Sequence, residues 1–485
     1  MNASTNAAST VITSQSLSPP GHNRGPADVA GAVAALRPQF GERLQTGEAI
    51  REQHGNTLTW LPNQPPDAVV FVQTTAEVAD VVRVCSAHRT PIIAFGAGSS
   101  LEGQINAPRG GISVDLTNMN RILAVNQEDL DCVVEAGCSR KALNDHLRDT
   151  GLFFSVDPGA EYASLGGMAS TRASGTTAVR YGTMRENVLA LKAVMADGSI
   201  ITTARRARKS SSGYDLTRLL VGAEGTLGII TELTVRLHGV PESILSAVCP
   251  FQTVEGATNA VIQAIQLGSM GIARIELVDA LQIKVSNAYS KLGLEEKPTL
   301  FLEFHGSSAG AREQVALFEE IARGEGALRF DWADKEEDRK RLWKARHDAY
   351  WAVRAFWPGK DTFATDVCVP ISRLAECIRE TDEDVQRSGL IAPLVGHVGD
   401  GNFHLSIVLD RTNPAEKAHV EAFLERLAER SLRMDGTCTG EHGVGQGKMK
   451  YLTAEHGPAL AAMRAVKAAL DPLDIFNPGK MLPPP

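Results

Sequence analysis

The sequence contains no Cys-x-x-Cys pair and no long hydrophobic run, and each absence excludes a class of protein. The seven cysteines are odd in number and widely spaced, which argues against a disulfide framework or an iron–sulfur cluster built by this chain alone. No apolar stretch approaches the roughly 18 residues that a membrane-spanning helix requires. We therefore expect a cytoplasmic protein without a transmembrane segment.

An excess of positive charge is also missing. Lys and Arg total 49 while Asp and Glu total 57, so the formal net charge is −8. Because dedicated nucleic-acid-binding proteins present a basic face, this composition disfavours that class. Residues 1–23 carry no Lys, Arg, Asp or Glu and have no apolar core of a secretory signal. We interpret residues 1–25 as a disordered tail.

The remaining chain alternates segments of helical spacing with short strand-like runs. Its 485 residues, of which 43% are hydrophobic, suffice for two to four domains at about 150 residues each. The predicted helices are 77–89, 253–267, 310–323, 334–356 and 414–434. The predicted strands are 91–95, 112–116, 133–137 and 299–304. Asp197-Gly198 predicts a hairpin turn within 191–203. The pattern indicates a protein of mixed α and β structure.

Three glycine-rich loops lie in the first half of the chain. They are GAGSSLEG (96–103), a segment from Gly166 to Thr177, and GAEGTLG (222–228). Glycine lets the backbone adopt positive φ and lets a ligand approach closely, and successive N–H groups in such turns bind anions. Each loop alone is equally well explained as an ordinary turn between strands. Three together favour one large, phosphate-bearing cofactor.

None of these loops matches a common nucleotide-binding fingerprint. GAGSSLEG has the spacing GxGxxxxG, whereas a Rossmann dinucleotide site requires GxGxxG. The later segment 443–448 is not a Walker loop either, because His442 and Met449 occupy positions that require Gly and Ser or Thr. The loops therefore indicate a cofactor site of another kind.

The segment PLVGHVGDGNFHLSIVL (393–409) predicts a β-hairpin that carries two histidines. Asp400-Gly401 is typical of a two-residue turn, which would place His397 directly opposite His404. Opposed residues have Cβ atoms about 5 Å apart on one sheet face, close enough for two imidazoles to bind one metal ion. A hydrogen-bonded pair of buried histidines is the alternative interpretation.

A second segment, TGEHGVG (439–445), favours the metal. Glu441 would complete a set of two histidines and one carboxylate that leaves open positions for a substrate, and Zn, Mn and Fe all suit such ligands. The adjacent His442 would then be free to act as a base.

These segments occur in one order that resembles a known family. PIIAFGAGSSLEG, VDPGAEYASLGGMASTRASGTTAVRYGTMRENV, VGAEGTLGIIT, GHVGDGNFH, GTCTGEHGVGQGK and FNPGKM together resemble the FAD-linked D-2-hydroxyacid dehydrogenases of the vanillyl-alcohol-oxidase type. Residues 364–374 (ATDVCVPISRL) and 290–307 resemble the D-lactate branch, whose members use a cytochrome or a quinone. The resemblance covers residues 50–482.

The resemblance implies an α+β fold with a bipartite FAD-binding domain of this type and an α+β cap domain over the substrate. The FAD-binding domain would span 26–240, and the cap domain, with the metal site, would span 241–455. Residues 456–485 would return to the FAD-binding domain.

The resemblance also implies which residues contact FAD. The implied contacts are Gly96, Gly98, Ser99, Ser100 and Gly103 at the pyrophosphate, Pro158, Gly166, Gly167, Ser174, Gly175 and Thr183 along the ribityl chain and ring, Glu224, Gly225 and Ile230 near the adenine half, and Asn477 near the ring. Relatives with covalently bound flavin carry a His in the first loop. Here that stretch is Gly98-Ser99-Ser100, which implies noncovalent FAD.

The implied activity is oxidation of a D-2-hydroxy acid, in first place D-lactate to pyruvate. The resemblance gives His397, His404 and Glu441 as ligands of a divalent metal, His442 as the base, and Arg346 as the group that binds the substrate carboxylate. For Arg346, an exposed helix residue is the alternative. The alternatives for the function are a dehydrogenase of glycolate or D-2-hydroxyglutarate, a non-catalytic FAD subunit of a glycolate-oxidising complex, and a metal-dependent hydrolase.

Two departures from the family pattern bear on the substrate and the flavin. Relatives that act on D-2-hydroxyglutarate carry a Lys before the pair that corresponds to Asp366-Val367, whereas Ala364 and Thr365 stand here, which disfavours a second substrate carboxylate. Arg172 stands where relatives usually carry a small or amide residue.

The chain contains no haem or iron–sulfur motif of its own, so a partner must receive the electrons. We expect a cytochrome, a quinone or an electron-transfer flavoprotein, and a peripheral position at the inner face of a membrane fits such an acceptor. A homodimer is compatible with these expectations.

Overall fold

The computed structural model describes residues 26–56, 59–268 and 270–484, so the predicted tail at 1–25 lies outside the described residues. Within the described part, the strands form three large sheets of four, five and eight strands and one pair of short strands. No helix in this part combines the length and the hydropathy that crossing a bilayer would require.

The first sheet is formed near the N-terminus. Its strands, in spatial order, are Leu44–Gln45, Ala68–Phe71, Ile112–Asp115 and Ile92–Phe95, and the last three are parallel. The accompanying helices are Val29–Phe40, Glu48–Gly55 and Thr75–Ala87. The last helix begins after Thr74, whose hydroxyl accepts the N–H of Glu77, and its apolar stripe packs in the same core as the strands.

The second sheet consists of five antiparallel strands. Their order is Ile122–Asn126, Asp131–Glu135, Ile229–Arg236, Val188–Val194 and Ile200–Thr202. The last two form the hairpin predicted at Asp197-Gly198, and Gly198 has a φ of 77°. The helices of this region are Arg140–Leu147, Leu165–Thr171, Ala178–Tyr181, Met184–Asn187 and Leu216–Leu220. Leu152–Phe153 pairs separately with His238–Gly239.

The third sheet carries the histidine hairpin. Its strands, in order, are Asp331–Ala333, Ser243–Pro250, Thr299–Gly306, Ile272–Val278, Leu394–His397, Asn402–Leu409 and Asp361–Ala364, and Val367–Cys368 also pairs with Asn402–Leu409. The helices are Val254–Gln266, Ala280–Ser290, Ser308–Gly324, Glu336–His347, Ala349–Phe356, Leu374–Ser388 and Pro414–Arg433. Side chains from both layers form one large apolar core.

The C-terminal segment packs against the first sheet. It follows the helices Leu452–His456 and Ala459–Leu470. The N–H of Ile92 donates to the carbonyl of Ile475 at 2.7 Å, and the N–H of Asn477 donates back to Ile92 at 2.8 Å. Phe476 is fully buried in the core of the first sheet. The two ends of the described chain therefore share one core.

One predicted helix is in fact two. The segment 334–356 contains Glu336–His347 and Ala349–Phe356, which meet at Asp348. The Asp348 carboxylate accepts hydrogen bonds from the hydroxyl of Ser290 and from Nζ of Lys344, both at 2.6 Å. Because Ser290 belongs to another helix, this break depends on a tertiary contact that periodicity does not reveal.

The histidine hairpin forms, but the predicted register is wrong. His397 pairs with Asn402 and His404 pairs with Val395, because the loop contains four residues, 398–401, and not two. The slip amounts to two residues. Since side chains alternate with a period of two along a strand, it leaves both histidines on one face and makes them diagonal neighbours.

The four-residue loop is explained by its surroundings. The N–H of Asp400 donates to the carbonyl of His397 at 3.0 Å, which closes a turn two residues earlier than the predicted turn with Asp400-Gly401 at its centre. Gly401, with a φ of 81°, backs onto Val369, whose carbonyl oxygen would lie 2.0 Å from an added Cβ. Because Val369 is so close, position 401 has no space for a side chain, and this contact determines the place of Gly401 in the loop.

Candidate active site

Two histidines and one glutamate converge at the predicted metal site. Nε2 of His397 and Nε2 of His404 each lie 3.2 Å from Oε1 of Glu441. The potential ligand atoms all lie within 4.8 Å of one another, and the imidazole centroids are 5.3 Å apart. The hairpin supplies the histidines and the segment 439–445 supplies the carboxylate. The structure thus brings together the three residues that the sequence predicted as ligands.

The outer nitrogen of each imidazole is held by another group. Nδ1 of His397 lies 2.7 Å from Oε1 of Glu276, and Nδ1 of His404 lies 2.8 Å from the carbonyl of Thr365. Both rings consequently turn Nε2 toward Glu441. Metal-binding histidines usually have such a partner on the second nitrogen, which fixes the tautomer and the ring orientation.

The residues present fit a divalent metal. Among the described residues, the buried Nε2 of His404 makes no hydrogen bond, because its 3.2 Å contact with Oε1 of Glu441 lacks the required geometry, so its electron pair is available to a cation. Burial opposes the charged form of His397, but Glu276 and Glu441 raise its pKa well above the ordinary value. Burial would raise the pKa of Glu441, whereas the two histidines lower it well below normal. A metal cation between these groups would also supply positive charge that stabilises the ionised Glu441 carboxylate.

His442 lies beside this set but outside it. Its ring stacks on that of His404, with centroids 5.1 Å apart and planes inclined by 13°. Burial is the main reason that the pKa of His442 falls to about 4. The imidazole is therefore neutral near neutral pH, which is the protonation state that a general base requires.

Asp366 fixes the segment that carries Glu441 and His442. Its Oδ2 accepts the N–H of Glu441 at 3.0 Å and the N–H of His442 at 2.9 Å, and Nζ of Lys448 lies 3.3 Å away. Burial alone would raise the pKa of Asp366, but Lys448 and the neighbouring histidines lower it well below the ordinary value. The ionised carboxylate thus holds the ligand and the predicted base in one rigid turn.

Arg346 contacts Glu276, which in turn contacts the predicted metal ligand His397. Its Nε donates to Oε2 of Glu276 at 2.9 Å, while the other oxygen of Glu276 faces His397. The Arg346 side chain is 16% exposed, so the alternative of a solvated helix residue does not describe it. A guanidinium carries five N–H donors, and this contact leaves several for a carboxylate ligand.

The first glycine-rich loop lies next to the second. Gly98 and Gly103 have φ values of 65° and 76°, which glycine adopts readily. An added Cβ on Gly96 would lie 2.2 Å from Oγ of Ser164, the residue that caps the helix Leu165–Thr171. The hydroxyl of Ser100 is buried without a hydrogen-bond partner among the described residues. Such an orphaned donor in a loop of N–H groups fits a phosphate-bearing cofactor.

Several predicted cofactor residues of the second loop already have structural partners. An added Cβ would lie 2.6 Å from Ala136 at Gly166 and 2.4 Å from the carbonyl oxygen of Asp157 at Gly175. Thr183 caps the helix Met184–Asn187. These contacts explain why positions 166 and 175 are Gly and position 183 is Thr, without any contribution from a bound ligand. The further predicted contacts of this loop, whose roles remain predictions, are Pro158, Gly167 and Ser174.

The third loop is bound to the C-terminal segment. Nδ2 of Asn477 donates to the carbonyls of Gln104 and Glu224, at 3.1 and 2.7 Å. The Glu224 carboxylate accepts the N–H groups of Val444 and Gly445, at 2.6 and 2.8 Å. The third loop, which is predicted to contact FAD, therefore contacts through Glu224 the segment that follows the predicted base, His442.

Two further residues of the third loop have distinct surroundings. Gly225 has a φ of 70° and open space where a Cβ would stand, apart from Ala94 at 3.8 Å. Ile230 packs in the core of the second sheet, so only its backbone is available near the loop. Arg172, the departure from the family pattern, is exposed and donates to the carbonyl of Val221 at 3.2 Å.

Sequence reasoning assigned no role to Glu276, Glu102 or Lys448, and it treated Asp366 only as a motif position. A usable signal existed for Glu276, because it is an acidic residue between Ile275 and Leu277 in a largely apolar strand, and the structure buries it. The partners of the other three lie far away in sequence.

Comparison with known families divides the chain into two matched parts. A model described as an FAD binding domain matches residues 66–204, and a model described as the C-terminal domain of FAD linked oxidases matches residues 240–481. The first range contains the loops at 96–103 and 166–177. The second contains His397, His404 and Glu441.

Individual relatives agree with these matches. The chain is 52% identical to the probable mitochondrial D-lactate dehydrogenase of Danio rerio, over 94% of this chain and 92% of that protein. It is 46% identical to the mitochondrial D-lactate dehydrogenase (cytochrome) of Arabidopsis thaliana, over 86% of this chain and 74% of that protein.

The fold is also found among solved structures. p-Cresol methylhydroxylase with bound substrate superposes with a TM-score of 0.77 at 18% identity, over 93% of this chain and 96% of that one. Together with the two matched families, this similarity confirms the predicted α+β class with a bipartite FAD-binding domain and a cap.

Proposed function

This chain belongs to the FAD-linked D-lactate dehydrogenases of the vanillyl-alcohol-oxidase-type superfamily, and we propose that it oxidises D-lactate to pyruvate with noncovalent FAD and a divalent metal. One observation carries the metal part of this proposal. His397 and His404 turn Nε2 toward Glu441, and the neutral His442 stacks beside them.

Two bound groups would supply chemistry that the side chains lack. FAD, which the three glycine-rich loops would hold, would supply the acceptor for the hydride of substrate C2, and a metal, which His397, His404 and Glu441 would hold, would supply a Lewis acid that lowers the pKa of the hydroxyl. Zn, Mn and Fe all suit these ligands.

The chain itself provides the base and the carboxylate-binding group. His442 takes the hydroxyl proton, and its burial supports this role because the low pKa keeps the imidazole neutral. Arg346 binds the substrate carboxylate with donors that Glu276 does not use. Asp366 keeps the turn at 441–442 in place through two backbone hydrogen bonds.

The cofactor residues of the three loops form the second part of the proposal. The unpartnered hydroxyl of Ser100 and the positive φ angles of Gly98 and Gly103 support a pyrophosphate at the first loop. The contacts of Asn477 with Gln104 and Glu224 support a flavin site closed by the C-terminal segment.

The electrons that FAD would receive from the substrate require an acceptor beyond this chain. We propose a cytochrome, a quinone or an electron-transfer flavoprotein as acceptor. The word cytochrome in the name of the Arabidopsis relative supports this proposal. A cytoplasmic location, peripheral to the inner face of a membrane, remains our prediction for this chain.

The experiment is a steady-state assay of the protein after addition of FAD and Mn²⁺ or Zn²⁺. D-lactate and L-lactate are compared, with a dye or cytochrome c as acceptor and pyruvate as the detected product. Pyruvate formed with D-lactate alone supports the proposal. Turnover of L-lactate at the same rate contradicts it.

A further inference from the structure

We propose that Glu102, in the first glycine-rich loop, positions His442 by accepting a hydrogen bond from its Nδ1–H, which leaves Nε2 free to act as the base. This inference rests on the proposed function, in which His442 takes the substrate proton. Glu102 would be a positioning residue, since it acts through His442 and not on the substrate.

The first observation is a pair of unsatisfied atoms that face each other. Oε1 of Glu102 lies 3.9 Å from Nδ1 of His442. Both atoms are buried, and neither has a hydrogen-bond partner among the described residues. An unsatisfied buried polar atom destabilises the folded protein. An approach of about 1 Å would give the usual N–H···O distance and satisfy both atoms together.

The distance itself is compatible with this role. Catalytic hydrogen bonds are often long in the absence of substrate and shorten when it binds. The His442 side chain keeps 11% of its surface exposed although Nδ1 is buried. The open part of the ring is therefore not Nδ1, and a substrate would meet another edge of the imidazole.

The second observation is that the Glu102 side chain stands in a fitted space. The carbonyl of Glu102 accepts the N–H of Gln446 at 2.7 Å and that of Gly447 at 3.2 Å. An added Cβ would lie 2.0 Å from this carbonyl at Gly445 and 2.2 Å from Oε2 of Glu102 at Gly447. Gly447 thus makes room for the carboxylate of Glu102, and Gly445 makes room for its backbone carbonyl.

A third observation links Glu102 to the backbone of His442. Oε1 of Gln104 accepts the N–H of Glu102 at 3.0 Å, while Nε2 of the same side chain donates to the carbonyl of His442 at 2.9 Å. The backbone and the side chain of Glu102 are thus both tied to the segment that carries the base. The loop that lies at the predicted pyrophosphate would also orient His442.

Lys448 is the competing partner, and its contacts favour another residue. Nζ of Lys448 lies 3.3 Å from Oε1 of Glu102, yet it donates to the carbonyl and to Oδ2 of Asp366, at 3.1 and 3.3 Å. Because an ammonium group has three N–H donors and a carboxylate oxygen has two acceptor sites, Oε1 of Glu102 can contact Lys448 and also accept from His442. Burial raises the pKa of the Glu102 carboxyl to about 7, and the ammonium group of Lys448 opposes this rise.

The test is a double-mutant cycle on the enzyme with FAD and metal bound. Glu102→Gln keeps the size of the side chain and removes its charge, and His442→Ala removes the base. The rate constant of flavin reduction by D-lactate is measured anaerobically in both single variants and in the double variant. FAD content and binding of oxalate, a dicarboxylate that has no hydride to donate to the flavin, are measured in parallel. Glu135→Gln serves as the matched control, because Glu135 is buried and pairs with Arg121 at 2.7 Å away from this site.

We expect Glu102→Gln to slow flavin reduction by about 10–100-fold, a part of the 10²–10⁴ that a general base contributes. FAD content and oxalate binding should not change, and Glu135→Gln should reduce its flavin like the unmodified enzyme. In the His442→Ala background, Glu102→Gln should change the rate less than about twofold, because residues that act as one unit are not additive.

Two outcomes would overturn the inference. One is an equal loss from Glu102→Gln in both backgrounds, and the other is a loss of FAD that accounts for the lost rate. If Glu102→Gln does not fold, Glu102→Asp, which keeps the charge, completes the same cycle. A fast His442→Ala variant would instead refute the proposed base, so the two failures are distinguishable.

Discussion

The rings of His404 and His442 stack face to face, 5.1 Å between centroids, yet only His404 directs a nitrogen toward Glu441. His404 has its outer nitrogen on the carbonyl of Thr365, whereas Nδ1 of His442 has no partner among the described residues. Two neighbouring imidazoles therefore have different surroundings, and we infer that one binds a metal while the other moves a proton.

The first prediction concerns the base. His442→Ala should slow reduction of the bound flavin by D-lactate by about 10²–10⁴-fold, the usual contribution of a positioned base. Anaerobic stopped-flow absorbance measures this rate, and the flavin spectrum before mixing reports whether FAD is still bound. An unchanged rate would remove His442 from the mechanism.

The second prediction concerns the metal. Glu441→Gln should lower the metal content from about one ion per chain by at least about tenfold, because a structured site loses its only carboxylate ligand. Elemental analysis of dialysed protein measures the metal, and FAD should remain bound. Glu425→Gln is the control, since Glu425 is exposed and pairs with Lys450. Full metal content in the Glu441 variant would refute this ligand set.

The third prediction concerns the substrate carboxylate. Arg346→Lys should raise the apparent Kd for D-lactate about 10–100-fold, because an ammonium group cannot contact Glu276 and a carboxylate with the same planar geometry. Substrate dependence of the flavin reduction rate measures this Kd. Arg341→Lys on the same helix, where the side chain is exposed and pairs with Asp338, should change nothing. Equal Kd values in both variants would contradict the role of Arg346.

The fourth prediction concerns stability and pH. Burial is the main reason that the pKa of Asp279 rises from 3.8 to about 7, although its carboxylate caps the helix Ala280–Ser290. Folding therefore favours protonated Asp279. Its contribution to stability is fully present below about pH 4 and is lost as the pH rises through about 7.

Asp279→Asn keeps a good capping residue but cannot ionise. The Tm of the variant relative to that of the unmodified protein should be higher at pH 8 than at pH 5 by roughly 2–4 °C, the effect of about 1 kcal/mol on a domain of 150–250 residues. Differential scanning calorimetry at the two pH values measures this difference. A lower Tm of the variant at pH 8 would mean that the ionised side chain stabilises the fold.

Local features of this structure could be predicted from the sequence. Helical spacing predicted 77–89, 253–267, 310–323 and 414–434, and the structure has helices at Thr75–Ala87, Val254–Gln266, Ser308–Gly324 and Pro414–Arg433. The sequence also predicted that His397 and His404 lie on one face of the sheet. This prediction holds because side chains alternate with a period of two, so a register slip of two residues leaves both histidines on the same face.

Features that depend on distant contacts could not be predicted. The loop 398–401 has its length because Gly401 packs on Val369, and the helix break at Asp348 depends on Ser290. The partners that hold the site come from other parts of the fold. Glu276, which contacts His397, lies in the strand Ile272–Val278, and Asp366, which holds the turn at 441–442, lies between the strands Asp361–Ala364 and Val367–Cys368. The pattern and spacing of residues in the sequence do not indicate such contacts, since only the fold brings these residues together.

The central claim is that D-lactate reduces FAD bound to this chain in a metal-dependent step. The most direct measurement is an anaerobic visible spectrum of the protein with FAD and metal bound, recorded before and after addition of D-lactate, L-lactate or glycolate. We predict that D-lactate bleaches the flavin band, that L-lactate does not, and that removal of the metal with a chelator prevents the bleaching while FAD stays bound. A flavin band that persists with D-lactate, in protein that retains both FAD and metal, would contradict the account.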